Sequence, residues 1–375
     1  MLGELEKLWV PKKEKLLTDE QKIKQRQQKL KQKKADIDQA LHSHEAITVL
    51  NIINSTDEDI AADSTLTLHG EKILLIEHNQ HYNHMNMSLM LKNTNMISII
   101  ESYKMDEWEV SALKTFTNGR NILLNSVTST IKYCGFQDQK CTTENEAEVK
   151  MKDVTITENN EIYFVGYRSP KIHTLSEKNK INTFTVIKDK ELTCIHATKN
   201  NTLIVGFCET GLNKSEYNYG IMILDMKGNH LKTFQYNENY QQIFKYPFKI
   251  ATNVNGDICI LEKEHHVYIS GNIIVLGSLG QLKWKYDGHK TINEYSLFSP
   301  NDIVTTRYGK VVVTDIETDT IQLLSINGDF LTFFGQEEGI YRPRCLNIDN
   351  EGLLQIGTAG ERYKSAKIHV VKISE

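Results

Sequence analysis

Proline is scarce, at five among 375 residues, and no apolar run exceeds the four residues of Ile73–Ile76 or Ile273–Leu276. A disordered, proline-rich tract is therefore excluded. So is a span of the roughly 20 consecutive apolar residues that a membrane-crossing helix needs. The first 30 residues are charged and hold no apolar stretch ahead of a small-residue site, so no secretory leader is expected. Six cysteines are present (Cys134, Cys141, Cys194, Cys208, Cys259 and Cys345), none in a C-x-x-C pair. They are expected to be buried free thiols in a reducing compartment, and the chain to be cytoplasmic. G-x-S-x-G, P-loop and G-x-G-x-x-G motifs are also missing. What is present in quantity is hydrophobic residues, 39 %, enough for a sizeable core.

The charge is unevenly placed. Residues 12–34 carry ten basic and three acidic side chains, a net of +7 in a chain whose total is −4, which leaves the remainder at −11. Through this basic segment and its flanks Trp9, Leu16, Ile23, Leu30 and Ile37 recur every seven residues, one stripe of a heptad. The second stripe is poor: Lys13, Glu20, Gln27 and Lys34 precede the single apolar Leu41. Residues 1–55 are read as a basic, coiled-coil-like helix. Either the stripe Leu16, Ile23, Leu30 and Ile37 mediates self-association into a homodimer, or the helix lies on the rest of the chain.

Beyond the helix a unit repeats. Asn118-Gly119, Asn159-Asn160, Asn200-Asn201, Asn255-Gly256, Tyr308-Gly309 and Glu351-Gly352 each precede a short apolar strand such as Ile162–Val165 or Val311–Val313. The second turn residues lie 41, 41, 55, 53 and 43 positions apart. Asn and Gly suit such hairpin turns because they tolerate positive φ. Three of the strands before these turns open with proline (Pro247, Pro300 and Pro343), where no ladder donor is needed. A second hairpin recurs as Ile223-Leu224-x3-Gly228, Val275-Leu276-x3-Gly280 and Leu323-Leu324-x3-Gly328. Four strands in each unit of this length make a propeller blade, which cannot bury both faces alone. The chain is therefore mainly β, a β-propeller of six blades with a seventh left open. Residues 97–375 form the propeller, with Met96–Tyr103 expected to close the last blade beside Ala366–Ile373. Residues 56–96 form a linker or an extra β-hairpin, and carry the elements of an additional blade in His69-Gly70, Ile73–Ile76 and Met90-Leu91.

The order of Pro-opened strand, glycine turn and Leu-x3-Gly hairpin resembles NHL repeats. Ile221–Gly228, Leu276–Tyr286 and Pro300–Asp315 carry most of that likeness. The chain resembles the C-terminal part of tripartite-motif NHL proteins, of the kind abundant in molluscs, strongly over residues 150–375 and faintly in the helix. The resemblance implies the substrate-recognition half of a ubiquitin ligase. RING and B-box modules need paired Cys/His zinc ligands, and none stands before Cys134, so ligase activity is not expected in this chain.

Loops between second and third strands share a face with the blade-to-blade connections. That face is expected to bind a protein partner through Tyr167, Arg168, Lys171, Lys245, Tyr246, Tyr341, Arg342, Arg344, Arg362 and Tyr363, residue types enriched at binding hot spots. Lys263 belongs to the same face, and Glu209, Glu264, Glu317, Asp319 and Glu361 dilute its charge. RNA is the alternative partner, disfavoured by the acidic body. A metal-dependent lyase or hydrolase is the third reading. The innermost strands offer Lys114, Thr155, His196, Thr252, Thr305 and Asn347, a ring with only one histidine, which does not make a metal site. Glu77, His78, His81, His84 and nearby His69, and likewise His265-His266, are read as polar surface loops rather than metal ligands. No cofactor, metal or catalysis is expected.

Overall fold

The computed structural model describes residues 96–137, 140–209, 217–264, 270–360 and 365–374, with two short strands, Leu74–Ile76 and Met90–Lys92. The segment read as a basic helix with its stripe, the histidines of 69–84 and 265–266, and Arg362 and Tyr363 lie outside the described residues. The chain divides into two units, Met1–Met90 and Leu91–Glu375, and the second holds the propeller.

Six four-stranded antiparallel blades follow one another, the first and last joined at their outer strands by a single parallel bridge between Lys104 and Lys140. Blade 1 comprises Ala112–Thr115, Asn121–Asn125, Thr130–Gln137 and Lys140–Glu148. Blade 2 comprises Asp153–Ile156, Ile162–Val165, Lys171–Leu175 and Ile181–Val186. Blade 3 runs Lys190–Ala197, Thr202–Glu209, Tyr219–Asp225 and His230–Phe234. Blade 4 runs Pro247–Thr252, Ile258–Lys263, Gly271–Leu276 and Leu282–Tyr286. Blade 5 runs Pro300–Thr305, Val311–Asp315, Thr320–Leu324 and Phe330–Gly335. Blade 6 takes three strands from the C-terminus, Pro343–Ile348, Leu354–Thr358 and Lys367–Ile373. Its outer strand is Ile97–Lys104, which pairs antiparallel with Lys367–Ile373. The expected closing strand is thus found one residue from its sequence-based bounds.

Each innermost strand packs on the innermost strand of the next blade, and blade 6 packs on blade 1. The ring is closed at six, which leaves no gap for the seventh blade that the sequence had left open. The physical cement lies between blades. Six buried apolar clusters each draw on two neighbours; Phe164 and Leu175 of blade 2, for example, pack with Ile122 and Tyr133 of blade 1. The seam is sealed by Tyr103 of the closing strand, Ile368 of blade 6 and Leu113 and Leu123 of blade 1. A single blade would leave both of these faces in water, so the fold is a property of the ring.

The turn chemistry agrees with the sequence. The second turn residues Gly119, Asn160, Asn201, Gly256, Gly309 and Gly352 all have positive φ, between 53° and 83°. Gly228, Gly280 and Gly328 of the second hairpin do too, and in blade 2 Asn179, at φ 58°, takes the same place. Pro247, Pro300 and Pro343 are the first residues of their strands. Among the described residues no helix is long and apolar enough to cross a membrane.

Candidate functional site

Because every sheet runs inner to outer with hairpin connections, loops between second and third strands and the blade-to-blade segments emerge on one face. The segments between blades 3 and 4 (235–246) and blades 4 and 5 (287–299) are the long ones. Exposed aromatic side chains collect on this face: Trp108, Tyr167, Tyr217, Tyr236, Tyr240, Tyr295 and Tyr341. Tyr240 and Tyr295 are 89 % and 85 % exposed. On the opposite face Tyr308 is the exposed aromatic among the described residues.

Several residues expected on the face are there. Tyr167 and Tyr341 are exposed, and each is followed by an arginine in the left-handed region, Arg168 at φ 49° and Arg342 at φ 48°. Such backbone is uncommon for a non-glycine residue. Arg342 is anchored there: its N–H donates to Asp319 Oδ1 at 2.9 Å and its Nη1 to the Gly360 carbonyl at 2.8 Å. Arg168 and Lys171 point to solvent. Lys245 pairs with Glu264, and its backbone N–H donates to Glu262 Oε2 at 3.0 Å.

Tyr246 departs from expectation. It is 7 % exposed, packed edge-on against Tyr219 at 5.5 Å, and its hydroxyl accepts from Lys152 Nζ at 2.6 Å. Proline disfavours helical backbone at the residue before it, and here Tyr246 packs into the wall between blades 3 and 4. It supports the face from beneath. Arg344 is likewise half-buried, with Nε 3.9 Å from Glu109 Oε2.

A layer of charge lies below, on the inner strands. Register places Ala112, Asp153, Cys194, Lys249 and Cys345 at one level of their strands, and Asp302, just ahead of the register-paired Ile303, takes the corresponding place in blade 5. Lys249 Nζ meets Asp153 Oδ1 at 2.5 Å. The second Asp153 oxygen accepts the Ile195 N–H of blade 3 at 2.9 Å, and Asp302 accepts the Leu346 N–H of blade 6 in the same way, at 2.9 Å. Burial works against the Lys249 ammonium, but Asp153 and Asp302 together outweigh it and raise its pKa above the usual 10.5. Two further lysines near this face go the other way. Burial lowers Lys152, and burial with the Arg344 guanidinium holds Lys263, 3 % exposed, down to about 8.

The six residues read as an inner ring occupy two levels. Lys114, Thr155, His196 and Asn347 share one, while Thr252 and Thr305 stand one residue later, opposite Ile258 and Val311. They form a hydrogen-bonded lining. His196 Nε2 lies 3.0 Å from Thr252 Oγ1, and Thr305 Oγ1 donates to the Thr252 carbonyl at 2.8 Å. Asn347 Nδ2 donates to Thr115 Oγ1 at 2.7 Å. Burial, with Lys114 nearby, pushes His196 down to about 4. Among the described residues no three His, Cys, Asp or Glu side chains are grouped to hold a metal ion.

Sequence reasoning missed Trp108, Tyr217, Tyr236, Tyr240 and Tyr295, and the charge layer. The signal was available for Tyr236, Tyr240 and Tyr295, since 235–246 and 287–299 precede Pro-opened strands and so belong to the same face. The charge layer needed strand register, which one sequence does not supply.

No protein-family model and no curated protein matches the chain. Solved structures do resemble it. A luciferin-regenerating enzyme aligns at 11 % identity and TM-score 0.53, covering 74 % of this chain and 94 % of that one. A gluconolactonase from Xanthomonas campestris aligns at 9 % identity and TM-score 0.53, covering 72 % and 87 %. The WD40 repeats of RRP9 align at 8 % identity and TM-score 0.50, covering 75 % and 98 %. At these identities the likeness establishes the propeller fold alone. It also corrects one expectation. Two of these neighbours are named as enzymes, so the absence of familiar catalytic motifs gives no ground for calling this propeller non-catalytic.

Proposed function

We propose that the chain is a binding platform whose connection face captures a protein partner. The supporting observation is the concentration of exposed Trp and Tyr on that face, residue types that supply large contact area at low entropic cost and dominate interface hot spots. The local charge favours a protein over a polyanion. Lys245 is matched by Glu264, Lys190 by Glu209 at 2.9 Å and Lys132 by Glu107 at 2.7 Å. Kinship with NHL propellers is part of this reading and rests on the Pro-opened strands and the glycine turns. Self-association through Leu16, Ile23, Leu30 and Ile37 would make the platform bivalent.

The test uses the full chain as bait, with and without ribonuclease. Replacing Tyr240 and Tyr295 by Glu should reduce capture of a recovered protein at least tenfold, while Leu279→Glu on the opposite face leaves it unchanged. Equal losses from both faces would end this assignment. Capture abolished by ribonuclease would transfer it to RNA.

A further inference from the structure

Two thiols share one face of the outer hairpin of blade 1. Cys134, on the third strand, is opposite Thr143, and Cys141, on the fourth, is opposite Phe136. They are therefore diagonal neighbours, two residues out of direct register. A register shift between Tyr133 and Cys134 disturbs the ladder here, and the right-handed twist of a hairpin brings diagonal side chains together. Both thiols pack at the ring seam, Cys134 buried within its apolar cluster and Cys141 against it. Both are reduced.

The two are unequal. Cys134 is fully buried, whereas Cys141 is partly open to solvent. Cys134 is held as a thiol by its contact with Cys141 and by burial. Cys141 is shifted toward thiolate by Cys134, with Lys132 contributing against the cost of burial. Burial is the largest influence on the other four, Cys194, Cys208, Cys259 and Cys345, and it pushes their thiols up.

We infer that Cys134 and Cys141 form a reversibly oxidisable dithiol, a disulfide site at the ring seam of the propeller. With a peroxide as oxidant, the Cys141 thiolate attacks one peroxide oxygen and the O–O bond breaks. A sulfenic acid forms on Cys141, and hydroxide leaves and takes up a proton as water. The Cys134 sulfur then attacks the Cys141 sulfur, the S–S bond forms, and the sulfenic oxygen leaves as a second water with the Cys134 proton. Two thiols are oxidised by two electrons while one peroxide is reduced to two waters. The location gives the bond a consequence. Phe136, between the two strands' cysteines in sequence, stacks on Tyr103 of the closing strand at 4.7 Å, and Lys104 of that strand bridges to Lys140. Oxidation would fasten the hairpin that buttresses the closure of the ring.

Hydrogen peroxide is added to the reduced full chain, free thiols are alkylated, and the protein is digested with trypsin without reduction. Cleavage after Lys132, Lys140 and Lys150 separates the two cysteines, so the disulfide appears as peptide 133–140 joined to peptide 141–150, lost after reduction. Cys134→Ser should stop Cys141 at the sulfenic acid, trapped by dimedone, and Cys141→Ser should leave Cys134 reduced. The proposal is overturned if the joined peptide is absent while Cys141 is oxidised to sulfinic acid in the parent. It is equally overturned if both thiols stay alkylatable once the peroxide has oxidised exposed methionines, or if Cys134 oxidises as readily without Cys141.

Discussion

Lys249 is the side chain whose loss the inner ring should tolerate least. Lys249→Met keeps the length of the chain and removes the ammonium. Asp153 would retain the Ile195 N–H and Asp302 the Leu346 N–H, but two carboxylates on one level of the channel would lose their shared counter-charge. The Lys249 and Asp153 side chains are only 13 % and 5 % exposed, so little of the interaction is screened. Removing one member of such a buried pair costs about 3–5 kcal/mol, more than the pair gained by forming, because the surviving charge is left desolvated. At roughly 2–4 °C per kcal/mol in a domain of this size, Tm should fall by about 10 °C. Adding Asp153→Asn to Lys249→Met should recover most of the loss, since an amide oxygen can still accept the Ile195 N–H. Because the Lys249 pKa is raised above 10.5, the contribution is fully present below that pH and is lost as pH rises through the folded-state value. The assay is thermal unfolding of parent, single and double variants near neutral pH. If Lys249→Met melts within about 2 °C of the parent, water in the channel solvates these carboxylates and the burial reasoning is wrong.

The remaining expectations concern acid, turns and the helix. His196 and His369 are both held down to about 4, chiefly by burial, and His369 Nδ1 lies 2.8 Å from Ser102 Oγ of the closing strand. Their depressed pKa values mean that the unfolded chain takes up protons first, so stability should fall as pH drops from 6.5 towards 4. Imidazole titration by NMR checks this, and a ring titrating near 6.5 would refute it for that residue. Gly328→Ala should cost more than Gly119→Ala in denaturant unfolding. Both glycines have positive φ, worth about 1–2 kcal/mol, but a Cβ at 328 would also meet Trp284 Cδ2 at 2.6 Å while 119 faces open space. Self-association of the full chain should tighten as salt rises, because salt screens the ten basic residues of 12–34 and leaves apolar burial intact. Ile23→Asp with Leu30→Asp should give a monomer. Sedimentation as a monomer at both low and high salt would remove the stripe as a contact.

The sequence by itself determined the blades, because blade structure is local. A turn needing positive φ announces itself as Asn or Gly at Gly119, Asn160 or Gly352, and a strand start that needs no ladder donor announces itself as Pro247, Pro300 or Pro343. Even the closing strand was legible: Met96–Tyr103 was expected beside Ala366–Ile373, and the observed Ile97–Lys104 lies one residue away. Where side chains from different blades meet was decided only by the tertiary structure. Blade number followed from how the inner strands of blades 6 and 1 pack, not from how many hairpins the chain can form. Tyr246 looked like a face residue beside Lys245, but it packs into the wall between blades 3 and 4, where its hydroxyl accepts from Lys152. The facing of Lys249 with Asp153, 96 positions apart in sequence, arises because ring closure brings strands of separate blades to one level, and no local pattern encodes that distance. The diagonal contact of Cys134 and Cys141 depends in the same way on a register shift, which spacing along the chain does not reveal.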